Sequence, residues 1–364
     1  MAQRRDSMEN LHPANIRPIS YYDQRPTSYH DQRPPRVIDP SFRLSAFAGR
    51  IGGNQQFTIS RQDPEFYQIK RDRPDATTEG TWAELCDLRG LLKMEIWKSG
   101  FIEFWGSLLN AFASGAAGIS LAKYGYLSSH RNNYSPITIA TAGALSILFT
   151  LPLFIHAAGP ASGGHINSMI TIATFTAKLA ALPRVIVYVF MQNLGGVVGG
   201  FLLRAGLGES ATLGVIVPGC YWAPDTGITD GQAFVIEFAS CCIVLFIAFG
   251  VGLDPRQRDI FGPALGPMLI GLAIAIISFI TGIMRQGYTG ASVEDEAYRY
   301  TPVAMNPSRC LGIVSATQTF RGHWVTWAGA IAAACLNGLL YILVPPHHAG
   351  PPPKDEELAD CKQI

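Results

Sequence analysis

The chain has 364 residues, 48% of them hydrophobic, and a formal net charge of +1; its mean hydropathy is +0.19. That balance offers no basic stripe and argues against a nucleic-acid partner. It also hides an asymmetry. Residues 1–98 hold 15 of the 28 Lys and Arg and 13 of the 27 Asp and Glu, so the remainder is charge-poor and long enough for several membrane spans.

Residues 1–98 read as a largely disordered cytosolic tail. D-Q-R-P occurs twice, at 23–26 and 31–34, in a stretch rich in Pro, Arg and Tyr with no apolar period. Residues 81–98 suit a short amphipathic lead-in helix. No apolar stretch follows the first arginines, which argues against a cleaved signal peptide. The seven cysteines form no C-x-x-C pair and sit mostly in apolar runs, so neither a disulfide framework nor a zinc site is expected.

A spanning helix needs about 20 apolar residues to cross about 30 Å of hydrocarbon. Six runs meet this in chain order: 101–122, 137–157, 185–203, 233–253, 262–284 and 324–344. Two shorter apolar segments, 167–177 and 306–316, are half a span long. Loose backbone is not tolerated in lipid, so both must be enclosed by protein or line a cavity. Arg89, Lys93, Lys98, Lys178, Arg184, Arg256 and Arg258 all fall on one side of a six-span arrangement. That moderate bias puts this side, and both termini, in the cytosol.

The pattern occurs twice. F-I-E-F opens the first span with Glu103, and V-I-E-F opens the fourth with Glu237. Each copy contains three spans and a half-span, so the second enters the membrane inverted. Paired short segments in an inverted repeat point to a site near the bilayer midplane. Asn caps helices well and Pro suits the first helical position. Asn306-Pro307 therefore reads as a helix start inside the membrane, with Asn167-Ser168 as its counterpart. Two positive helix ends would meet there, each Asn capping with its oxygen and leaving its NH2 free for a solute. Arg309, one turn beyond Asn306, either lines the pore wall or pairs with Glu294, Asp295 or Glu296. Glu103 and Glu237 either accept hydrogen bonds from the backbone before each half-helix or carry protons. His165 reads as a hydrogen-bonding residue at the cytosolic mouth. No metal-ligand cluster and no catalytic constellation is present, so neither a cofactor nor an enzyme is expected.

S-G-G-H-I-N, Y-T-G-A-S and M-N-P-S-R-C-L-G, with the E-F pairs, resemble the major intrinsic protein family of aquaporins and aquaglyceroporins over about residues 101–344. The resemblance is to a fungal-type member with a long N-terminal tail. It implies an all-α membrane fold of six spans and two re-entrant half-helices, one pore per subunit, in a homotetramer. It implies a passive channel for water and small neutral solutes such as hydrogen peroxide or glycerol, with the lipid bilayer as surroundings and the plasma membrane or an internal membrane as host. The pore roles fall on Asn167, Asn306, Arg309 and His165, and the filter positions on Ile147, Thr281, Gly282 and Val303. Glu103, Glu237, Ser168 and Pro307 support the half-helices. The channel would occupy 99–345, between the tail 1–98 and a cytosolic C-terminal tail 346–364.

Three departures stand out. Asn167-Ser168-Met169 replaces the family's Asn-Pro-Ala, and Met169 is bulky enough to narrow the pore centre or strain helix packing. Cys310 follows Arg309 where glycerol channels usually carry Asp. Residues 293–304 are inserted before Met305 and form either a lid over the outer mouth or a neutral loop. These departures keep two rivals open, a non-conducting relative and, through Glu103 or Glu237, a proton-coupled transporter.

Overall fold

The computed structural model describes residues 47–52, 59, 61, 63–131, 136–215, 217, 219–220, 229–255, 258–284 and 303–344; within helices, the side chains of 123–131, 136, 258–260 and 262–263 are not among those described. The D-Q-R-P repeats, residues 293–302 of the expected lid 293–304 and the C-terminal tail 346–364 lie outside these residues.

Among the described residues the fold is helical, without strands. The helices are α1 (Phe66–Asp72), α2 (Trp82–Leu85), α3 (Met94–Arg131), α4 (Pro136–Ser162), α5 (Ser168–Thr176), α6 (Leu182–Leu207), α7 (Glu209–Thr212), α8 (Asp230–Ala248), α9 (Arg258–Ile283), α10 (Pro307–Thr317) and α11 (His323–Leu343). Five are long and apolar enough to cross a membrane: α4, α6, α8 with the π-turn that follows it, α9 and α11. The sixth expected span, 101–122, lies inside α3. Large apolar side chains face outward along these helices, among them Phe149, Leu153, Phe190, Phe201, Phe246 and Ile280. A belt of this kind suits lipid rather than water.

The inverted repeat is visible in the packing. α3 lies against α4 and α6, as α8 lies against α9 and α11, and α4 meets α9 between the copies. The half-helices exchange partners: α10 packs on α6, and α5 packs on α11. The exchange relies on close backbone approach. A Cβ on Gly200 would lie 1.9 Å from the Gly312 carbonyl oxygen, and one on Gly196 would lie 2.3 Å from that of Ser308. Gly195 and Gly199 bring the neighbouring face of α6 equally close to the α3 carbonyls of Phe104 and Leu108. Two interleaved G-x-x-x-G pairs thus let one helix touch two others, the usual role of small residues between membrane helices.

The tail departs from the sequence expectation. Residues 63–92 form α1, α2 and two 3-10 turns, Pro74–Ala76 and Leu88–Leu92. The expected lead-in helix at 81–98 is broken: α2 ends after one turn, capped by Thr81 and Glu84, and α3 begins at Met94. Phe47, Ala48, Arg50 and Ile51 are at most 1% exposed, so this part of the presumed tail is packed as tightly as the core.

Candidate functional site

The two half-helices begin at a shared centre. Asn167 caps α5, its Oδ1 accepting from Met169 N at 2.9 Å. Asn306 caps α10, its Oδ1 accepting from Arg309 N at 3.1 Å and from Ser308 Oγ at 3.0 Å. Each Asn also reaches across. Asn167 Nδ2 donates to the Met305 carbonyl at 2.8 Å, and Asn306 Nδ2 donates to the Ile166 carbonyl at 2.9 Å. The sequence reading left both NH2 groups free; the structure uses one hydrogen of each to tie the helix starts together, leaving one.

The carbonyls that receive these bonds belong to residues in the left-handed region, Ile166 at φ 46° and Met305 at φ 51°. A β-branched or bulky residue there costs on the order of 1–3 kcal/mol and must be held by its surroundings. The glutamates hold the other end. Glu103 accepts from His165 N at 3.0 Å and Ile166 N at 2.6 Å. Glu237 accepts from Ala304 N at 2.8 Å and Met305 N at 2.7 Å. Each strained residue therefore has its N–H on a buried carboxylate and its C=O on the opposite Asn.

The copies differ in their support. Pro307 starts α10. Ser168, at the matching place, donates to Gln192 Oε1 at 3.1 Å. Gln192 Nε2 then reaches Glu103 Oε2 at 2.8 Å and Thr171 Oγ1 at 2.9 Å. Ser168 thus joins a polar network on α6 that a proline could not enter. Met169 is fully buried in the apolar core among residues such as Ile170, Cys241 and Val244. Its bulk lies in that core.

Toward the opposite face, Arg309 donates from Nε to Ser114 Oγ at 2.9 Å and from Nη1 to Cys220 Sγ at 3.4 Å. Cys220 is bonded to Cys310. This overturns the expectation of no disulfide: an odd count and apolar surroundings gave no hint of a pair 90 residues apart. Glu294, Asp295 and Glu296, the alternative partners of Arg309, lie outside the described residues. Of the expected filter residues, Thr281 and Val303 are brought together, with Val303 N 3.4 Å from Thr281 Oγ1. The Val303 side chain itself lies in the core. Ile147 and Gly282 are half-buried on α4 and α9. Ser114 and Gln192 were missed by the sequence reading, since a lone Ser or Gln inside an apolar run carries no local signal.

At the other end of the site, beside His165, lies the segment 47–52. His165 Nε2 is 2.6 Å from the Gly49 carbonyl, which can only accept, so Nε2 carries the proton. Ile51 N and Gly52 N donate to the Gly163 carbonyl at 3.3 and 3.0 Å, and Gly49 N to that of Leu179 at 3.1 Å. Arg50 Nη1 donates to Gly159 O at 3.2 Å and Pro160 O at 3.3 Å. Ile51 packs with Leu253 and Ile270, near the junction of α8 and α9. The segment thus touches the ends of α4 and α5 and the α8–α9 junction, beside His165. The guanidinium groups of Arg184 and Arg50 both lie over the Phe47 ring, at 4.2 and 4.7 Å from its centre. Arg184 also forms a buried ion pair with Asp75, Nε to Oδ2 2.7 Å. Asp75 in turn offers its carbonyl to Ala48 N. Burial lowers the Arg50 guanidinium to about 10, so it stays cationic at neutral pH.

The Major intrinsic protein family profile matches residues 91–341. The chain is 27% identical to a probable TIP-type aquaporin of Medicago truncatula, over 67% of this chain and 85% of that protein. It is 29% identical to the lens fiber major intrinsic protein of Gallus gallus, over 70% and 84%. Among solved structures, the aquaglyceroporin from Plasmodium falciparum matches 68% of this chain and 96% of its own, with a TM-score of 0.48 and 19% identity. The profile spans well over half the chain and takes in both half-helices with their asparagines, so the protein belongs to the major intrinsic protein family, whose members are membrane channels and not enzymes.

Proposed function

We propose that the protein is a passive channel for water and small neutral solutes, hydrogen peroxide and glycerol among them, and that segment 47–52 holds it shut. The observation that carries the channel reading is the Asn167–Asn306 pair. Two positive helix ends meeting inside the membrane oppose cations and protons. The second amide hydrogen of each Asn is left to orient a solute oxygen. Arg309 serves as the wall of a narrower filter toward the opposite face. Glu103 and Glu237 are spent on backbone N–H groups, which favours a supporting role over proton coupling. The shut reading rests on Gly49, whose carbonyl occupies the His165 N–H, and on Arg50, a cation in the mouth. The Lys and Arg bias supports a cytosolic tail face, and membership of the family supports a homotetramer as the working unit.

Proteoliposomes holding the Phe47→Ala/Arg50→Ala chain test this, with stopped-flow measurement of water, glycerol and peroxide flux. The expected result is flux of neutral solutes down their own gradients, insensitive to an imposed proton gradient. Dependence on the proton gradient would make the protein a coupled transporter. No flux at normal abundance would make it a non-conducting relative.

A further inference from the structure

The outer disulfide sits in direct contact with the filter arginine. Cys310 follows Arg309 in the first turn of α10, and Cys220 lies beyond α7 on the chain leading to α8. Both are buried. Cys220 Sγ accepts from Arg309 Nη1, and Ser114 Oγ accepts from Nε. Ser114 is itself fixed, donating to the Asn110 carbonyl at 2.6 Å. The described contacts of the guanidinium are therefore one anchored hydroxyl, the Cys220 sulfur at 3.4 Å and, more distantly, the Cys310 sulfur at 3.9 Å. A sulfur is a weak acceptor and holds the guanidinium only while it is itself held in place. Among the described residues the Cys220 segment has other ties to α10: Gly214 N donates to Thr317 O at its far end, Val217 packs into the apolar patch with Ile119, Ile313 and Val314, and the Gly219 carbonyl lies 3.0 Å from Cys310 Sγ.

We propose that the Cys220–Cys310 disulfide is a specificity-determining element that acts through Arg309, with Cys220 and Cys310 as positioning residues. The proposal rests on the reading of Arg309 as a filter residue. With the bond closed, the sulfur beneath Nη1 has one position relative to α10, and the guanidinium projects from a fixed wall. With it open, the other ties still hold the Cys220 segment against α10, but the Cys220 sulfur is released from its fixed place and turns away from the guanidinium, leaving Arg309 with Ser114 and the more distant Cys310 sulfur. The filter then widens toward larger neutral solutes. The bond's place on the face away from the tail suits an oxidising compartment.

The test compares the full chain with its Cys220→Ser/Cys310→Ser form, each with and without Arg309→Ala, all in the Phe47→Ala/Arg50→Ala background in proteoliposomes. Two quantities are read, the glycerol-to-water permeability ratio and the rate at which phenylglyoxal modifies Arg309, followed by mass spectrometry. Losing the disulfide should raise the ratio about fivefold and the modification rate about threefold, yet change the ratio less than about 1.5-fold once Arg309 is alanine. An unchanged ratio and rate in assembled protein would overturn the proposal, as would an equal change in ratio with and without Arg309. If the serine pair does not assemble, the bond is opened in reconstituted native protein with dithiothreitol. The dithiol then gives up two electrons and two protons and closes to its own disulfide, leaving two thiols that peptide mapping verifies, and the same readouts decide. Modification needs no flux, so a chain that conducts nothing would defeat the channel reading while the rate still decides the clamp.

Discussion

Asn306 makes three hydrogen bonds with one side chain, to Arg309 N, Ser308 Oγ and the Ile166 carbonyl. Alanine there removes the cap, at about 0.5–2 kcal/mol. It also strands a buried carbonyl, at about 1–3 kcal/mol. Serine can still cap but is too short to reach Ile166. Thermal unfolding in detergent should therefore rank Asn306 above Asn306→Ser above Asn306→Ala; equal melting of the two variants would show that the cross-bond contributes nothing. Met169 gives the opposite kind of prediction. It fills the core, so Met169→Ala should cost about 2–5 kcal/mol through the cavity it leaves, with permeability per assembled channel unchanged. A rise in permeability would put the side chain back on the lumen. The roles open to Asn167, Asn306 and the two glutamates could be drawn from the sequence because capping and carboxylate-to-backbone bonding depend on residue type and local position. The Ser168–Gln192 bond could not, since it joins residues on separate helices through side chains that are ordinary in either place.

At the scale of elements, the apolar runs located five of the six expected spans to within about five residues, while the first, 101–122, lies inside the longer helix Met94–Arg131. The expected 185–203 became Leu182–Leu207, and 324–344 became His323–Leu343. The half-helices followed their caps, 167–177 becoming Ser168–Thr176 and 306–316 becoming Pro307–Thr317. Lipid makes these boundaries legible, because every backbone group inside it must be satisfied within the helix. What a helix touches was less legible. The doubled G-x-x-x-G of α6 was in plain view, but its two partners follow only from the exchange of half-helices. Gly200→Ala drives a methyl into the Gly312 carbonyl, backbone against backbone, and should abolish assembly. Gly206→Ala, on the same helix with nothing within 4 Å of the added methyl, should assemble normally and gain about 0.5–1 kcal/mol. Size-exclusion profiles in detergent separate the two, and a well-assembled Gly200→Ala would contradict the packing described.

For the whole molecule, the deciding feature is a stretch that looked like tail. F-A-G-R-I-G has no helical or strand period, and its docking uses mostly backbone hydrogen bonds, which any sequence can supply. Its anchor is an ion pair between Asp75 and Arg184, 109 residues apart and buried on both sides. Removing one partner of such a pair costs about 3–5 kcal/mol, because the other charge stays buried. Asp75→Ala should therefore loosen the segment but also destabilise the start of α6, lowering the melting temperature as well as raising flux. Phe47 and Arg50 offer a cleaner contrast, since both belong to the segment itself. The most direct measurement is osmotic water permeability by stopped-flow, comparing native protein with Phe47→Ala/Arg50→Ala at equal abundance in proteoliposomes. A segment that shuts the mouth for most of the time predicts a permeability about fivefold or more above the native value in the variant. Equal permeability in the two proteins would contradict it.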